Sequence, residues 1–191
     1  MEFIDKVIAE ASGARVARLH ILLARARILR GETEKGMQIA EAAFVDLREN
    51  NVAPEDVVSY LAQVAQSLKK RNEFELSERI CRRALSESEI AVPQAKPILL
   101  AKACEIFALR LQDTELSEND RIELQAMAER LQEELAAVGE NPLATDHLKK
   151  RSSHELANSL AEIYKLLGDP QWETWQQRAS ESKMESSGAN E

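Results

Sequence analysis

The side chains whose type and spacing best suit chemistry are arginines. Between Ala11 and Gly31 the chain carries Arg15, Arg18, Arg25, Arg27 and Arg30 and no acid at all. On a helix turning 100° per residue, Arg15, Arg18 and Arg25 fall within about 80° of one another, with Leu22 and Leu29 inside the same arc. A guanidinium is a planar fork that grips a carboxylate through two parallel N–H donors. The chemistry implied is recognition of an acidic group. The competing reading is internal pairing, with acids of the neighbouring helix such as Glu34 or Glu41, or with the acidic second half of the chain.

Catalytic patterns are missing. His20, His147 and His154 have no second ligand three or four residues away, and His154-Glu155 lacks the partner histidine of a helical zinc motif. The six glycines are scattered and form no phosphate-cradling loop. There is no GxSxG element. Cys81 and Cys104 lie inside helical patterns without CxxC spacing, as buried thiols of a reducing compartment do. No enzymatic activity, cofactor or metal is expected, and the expected location is cytoplasmic.

Charge narrows the partners. Residues 1–100 hold 15 Lys/Arg against 15 Asp/Glu, while residues 101–191 hold 10 against 18, so the net charge of −8 sits in the second half. That argues against a nucleic-acid wrap, which needs a basic face for the phosphates. No apolar run approaches the roughly 18 residues of a membrane span, and Met1-Glu2-Phe3-Ile4-Asp5-Lys6 does not read as a secretory signal. The expected partner is another protein, with neither nucleic acid nor membrane involved.

The elements that would position these groups are helices. Apolar residues make up 44% of the chain but aromatics only 4%, a Leu/Ala-rich composition that favours helix over strand. Periodicity of 3.6 predicts helices over 13–30, 33–50, 54–70 and 74–88, a fifth starting between Pro93 and Pro97, one after Ser117, one from Thr145 or Asp146 to Leu167, and a last one after Pro170. Pro54 suits a first turn, Ser117 with Asp120 reads as a variant capping box, and Gly139 and Gly168 read as helix stops. About eight helices joined by short turns must run antiparallel to their neighbours. The polar stretch 181–191 reads as a disordered tail on a domain spanning 1–180.

The turns also suggest a repeat. Gly31 and Asn72 are 41 residues apart, and at matching distances behind them come Gly36, Ala40, Ala43 and Phe44, then Ser77, Cys81, Ala84 and Leu85. Leu23-Ala24 aligns with Val64-Ala65, and Leu160-Ala161, Tyr164 and Leu167-Gly168-Asp169 give a third instance. These residues resemble the tetratricopeptide repeat family, in which small residues let two helices of a pair approach closely and large ones fill the gap to the next pair. The period is longer than that family's ~34 residues, and Arg27 stands at an aromatic position.

The resemblance implies an all-α fold of antiparallel helix pairs stacked as a right-handed α-solenoid, whose first helices line a concave groove. On that reading Arg15, Arg18 and Arg25, with Ser59, Gln63, Gln66 and Lys70 of the next first helix, face a partner peptide or helix. The family's clamp for peptide C-termini is not reproduced, because Ile21 and Arg25 occupy its places. The function implied is a protein–protein adaptor or chaperone of bacterial type, similar in size and charge to the chaperones of type III secretion. The alternatives are a regulatory module of a transcription or signalling system, and a structural homodimer joined through Trp172 and Trp175. Otherwise those two tryptophans cap the preceding helix. The acids of 117–138 read as a solvated face able to receive a basic segment.

Overall fold

In the computed structural model, which describes residues 13–141 and 145–187, eight α-helices pack in adjacent pairs and no strand is found among the described residues. The helices are α1 (Ala14–Leu29), α2 (Thr33–Glu49), α3 (Pro54–Lys69), α4 (Phe74–Ala91), α5 (Lys96–Leu111), α6 (Glu118–Glu140), α7 (Asp146–Leu167) and α8 (Gln171–Ser187). A 3-10 turn, Pro93–Ala95, precedes α5. The chain divides into two compact units between Val92 and Pro93, where the sequence reading draws one continuous domain.

In the first unit α1 packs on α2, α3 packs on α4, and α1 also touches α3. The pairs close on small residues. Gly36 of α2 lies so near α1 that a Cβ there would stand 2.8 Å from the Ala24 carbonyl oxygen. At the matching place in α4, Ser77 is fully buried and its hydroxyl donates to the Ala65 carbonyl at 2.7 Å. The core between them is apolar and without exposure at Ile21, Ile28, Phe44, Leu47, Leu61 and Leu68.

The two hairpin turns use the same bonds. Gly31 and Asn72 both take positive φ, 88° and 61°. Glu32 N–H donates to the Arg27 carbonyl and Glu73 N–H to the Leu68 carbonyl, at 3.0 and 3.1 Å. Left-handed residues at these positions end a helix while satisfying its last carbonyls, which explains Gly at one turn and Asn at the other. Gly168, with φ 72°, does the same after α7, where Asp169 N–H donates to the Tyr164 carbonyl at 2.9 Å.

In the second unit α7 is the central packing element, touching α5, α6 and α8. Phe107, Leu124, Leu131, Leu156 and Leu160 are fully buried. Ser159 donates to the Ala101 carbonyl at 2.9 Å and fixes α7 on α5. Ser117 and Asp120 form the reciprocal capping box at the start of α6, and Thr145 caps α7 through Leu148 N–H.

Three expectations change. Gly139 does not stop α6, which continues to Glu140; the break falls at Asn141, extended because the next residue is Pro142. α4 runs to Ala91, three residues beyond the expected end. The stretch from 181 is helical as far as Ser187, and within it the Ser180 and Ser182 hydroxyls bond back to the carbonyls of Gln176 and Arg178. Residues 188–191 of the expected tail, and the N-terminal segment read for a secretory signal, lie outside the described residues. No helix among the described residues is long and apolar enough to cross a membrane.

Candidate protein-binding face

α1 is buried along Ala17, Ile21, Ala24 and Ile28, and this fixes what its other face presents. Arg18, Leu22, Arg25 and Leu29 follow at intervals of four, three and four residues, so they form one straight stripe. Leu22 is 49% exposed and Leu29 44%, two of only four large apolar side chains left open among the described residues.

Beside this stripe runs α3, and polar bonds cross between them. The Arg18 guanidinium lies 3.0 Å from the Asp56 carboxylate, both about half exposed. Arg25 donates to Gln63 Oε1 at 2.6 Å and, through Nε, to Ser67 Oγ at 3.4 Å. Gln63 in turn donates to Ser59 Oγ at 3.3 Å. The Ser67 hydroxyl, nearly buried, donates to the Gln63 carbonyl and so holds its lone pairs toward α1.

Of the residues expected to face a partner, the structure thus brings Arg18, Arg25, Ser59 and Gln63 together. Arg15 stands exposed near the start of α1, outside these bonds, and Gln66 and Lys70 of α3 take no part in them. The internal pairing expected with Glu34 or Glu41 is corrected: Arg18 pairs with Asp56 instead, and Glu41 is taken by Arg83 at 2.8 Å. Asp56 and Ser67 are additions to the expected set. Both lie on the helical stripe of Ser59 and Gln63, so the 3.6 period carried their signal.

The two arginines differ electrostatically. Arg18 faces a carboxylate across an exposed ion pair, an interaction worth about 0–1 kcal/mol and readily exchanged. Arg25 is oriented by two neutral acceptors, which fix its fork without cancelling its charge. The result is a pre-positioned cation flanked by two open leucines.

Arginines of α2 and α4 are paired with acids. Arg48 pairs with Glu87, Arg83 bridges Glu41 and Glu87, and the Arg83 guanidinium lies 5.3 Å from the Phe44 ring centre. Arg27 reaches Glu32 at 2.6 Å across its own turn.

Elsewhere the remaining candidates take structural places. His154 Nδ1 lies 2.8 Å from the Ala179 carbonyl and its Nε2 3.2 Å from Asn158, which ties α8 to α7. Trp172 and Trp175 are each half-buried on α8, with Arg178 stacked 5.2 Å over Trp175. Glu134 of α6 bonds Lys96 at 2.9 Å. Cys81 and Cys104 are buried and not disulfide-bonded. No cluster of three or more His, Cys, Asp or Glu placed to hold a metal is found among the described residues.

Fold and face together define a helical-hairpin protein that displays a basic and aliphatic stripe beside a polar helix. Comparison of the chain with protein-family models, with curated proteins and with solved structures finds no significant match in any of the three.

Proposed function

We propose that the chain is a protein-binding adaptor or chaperone, and that the α1/α3 face receives an acidic, aliphatic segment of a partner protein. The observation that carries this reading is Arg25. It is held by Gln63 and Ser67, has no carboxylate partner among the described residues, and is placed between the half-exposed Leu22 and Leu29. A buried anchor beside a charge-assisted hydrogen bond is the usual core of a binding site. A partner helix with a carboxylate one turn from a Leu or Ile would cover both leucines and pair with Arg25. A second carboxylate would replace Asp56 on Arg18.

The helix pairs are read as tetratricopeptide-like. Supporting this are the identical turn bonds after α1, α3 and α7, the matched close contacts at Gly36 and Ser77, and the side-by-side placement of α1 and α3. Two buried cysteines outside any disulfide suit a reducing, cytoplasmic setting.

The test is affinity capture from native lysate with wild type and Arg18→Glu/Arg25→Glu, followed by binding measurements on the purified client segment. The expected result is a client retained by wild type and weakened by at least about tenfold in the double variant, or about 1.4 kcal/mol, with helicity by circular dichroism unchanged. Equal capture by both proteins would assign the arginines to the fold alone.

A further inference from the structure

Arg18 and Arg25 meet α3 in one register. The bond from Arg18 to Asp56 and the bond from Arg25 to Gln63 each span 38 residues. Asp56, Ser59, Gln63 and Ser67 follow at intervals of three, four and four residues, so they share one side of α3. The face therefore has two equivalent arginine stations, about 10.5 Å apart along α1. They are filled differently. At Arg25 the acceptors are an amide oxygen at 2.6 Å and a hydroxyl at 3.4 Å, both neutral. At Arg18 the acceptor is a carboxylate at 3.0 Å.

This difference decides what each station offers. A guanidinium oriented by neutral groups keeps its charge for a ligand. A guanidinium paired with an acid is already answered, and a ligand carboxylate must take that acid's place. Exchange at Arg18 is open because both partners are about half exposed, so a displaced Asp56 returns to water. An exposed ion pair of this kind shifts an equilibrium only a few-fold. Glu55 stands next to Asp56 in the first turn of α3, is exposed, and is not bonded to Arg18.

We propose that Asp56 is a specificity-determining residue of the α1/α3 face, an internal competitor that a partner's second carboxylate must displace from Arg18. The inference rests on the reading of that face as the site of an acidic, aliphatic helix. It makes the site two-tiered. A partner with one carboxylate binds through Arg25 and leaves Asp56 in place. A partner with two, spaced like the arginines, gains its second contact only by displacing Asp56. Asp56 thereby holds down the advantage of the second kind of partner over the first, and its removal raises it.

The test uses the full chain and two fluorescein-labelled helical peptides, read by fluorescence anisotropy at about 0.15 M salt, where charges beyond about 8 Å are largely screened. One peptide carries two Glu seven residues apart, each one turn from a Leu. In the other, one Glu is replaced by Gln. Asp56→Asn should tighten the two-Glu peptide about three- to fivefold and move the one-Glu peptide by less than about twofold. Glu55→Gln, which removes the same charge from the same turn, should move neither by more than about twofold. In an Arg18→Gln background the gain from Asp56→Asn should vanish. Because the expected change is a gain, loss of folding cannot mimic it. Saturable binding with no gain from Asp56→Asn, an equal gain for both peptides, an equal gain from Glu55→Gln, or a gain that survives Arg18→Gln would overturn the role of Asp56 and leave the face as a binding site. Saturable binding of neither peptide would overturn the reading of the face, and this inference with it.

Discussion

Gly36 and Ser77 occupy matching places in the two hairpins of the first unit and solve one problem in two ways. At Gly36 the helices are too close for a side chain: an added Cβ would lie 2.6 Å from Ile28 Cγ1 and 2.8 Å from the Ala24 oxygen. Because the second of these atoms is backbone, α1 and α2 must separate to admit it. At Ser77 a side chain fits and returns a hydrogen bond to the Ala65 carbonyl. Gly36→Ala should therefore destabilise the protein by about 1–3 kcal/mol from overpacking, in spite of the ~1 kcal/mol gain in helix propensity. Ser77→Ala should cost about 1 kcal/mol, the net worth of one hydrogen bond. Urea unfolding measures both, and a Gly36→Ala midpoint at or above wild type would contradict the close approach. The same scale explains why Arg25 and the stripe of Gln63 and Ser67 were each legible in the sequence and the bonds between them were not. An acid-free arginine run is visible in one dimension, whereas Ser67 acts from 42 residues away.

At the scale of the element, what the sequence shows well is where helices begin and end by side-chain chemistry. Pro54, Ser117, Thr145 and Gly168 all mark true ends. Gly139 misleads because glycine stops a helix only when its left-handed freedom is used, and here the stop comes from Asn141 before Pro142. The polar end of α8 misleads in the opposite direction. Ser180 and Ser182 bond their own helix, and the buried Ala179 accepts from His154, so tertiary attachment prolongs a helix that composition disfavours. The cap of α6 also has a pH signature. Bonds from the Ser117 hydroxyl and the Ser117 N–H hold the Asp120 carboxyl below its ordinary value of 3.8. A carboxyl lowered by folding stabilises the native state above that value, and its contribution disappears as pH falls through the folded-state pKa. Ser117→Ala should accordingly melt below wild type at neutral pH, and the gap should narrow below about pH 4. Circular dichroism melts across pH 7 to 3 test this, and a gap independent of pH would show that Asp120 has no part in the cap.

For the whole molecule, the division between Val92 and Pro93 separates charge as well as structure. Before it lie 14 Lys/Arg and 15 Asp/Glu; after it, 11 and 18. The basic stripe of α1 thus belongs to the first unit, and each unit has its own buried core. In the first unit Phe44, Leu47, Leu61 and Leu68 lose all exposure, and in the second Phe107, Leu131, Leu156 and Leu160 do. Each unit exceeds the roughly 40 residues below which a domain needs disulfides, metal or association to fold alone. Val92 joins them with extended, non-helical geometry, φ −143° and ψ 65°. A cut there interrupts no helix. The fragments 1–92 and 93–191 should each be helical and unfold cooperatively when produced separately. Their summed circular dichroism should match that of the intact chain, because each unit has its own buried core. Should either fragment lack a cooperative melt while the intact chain has one, the units would be parts of a single folding domain.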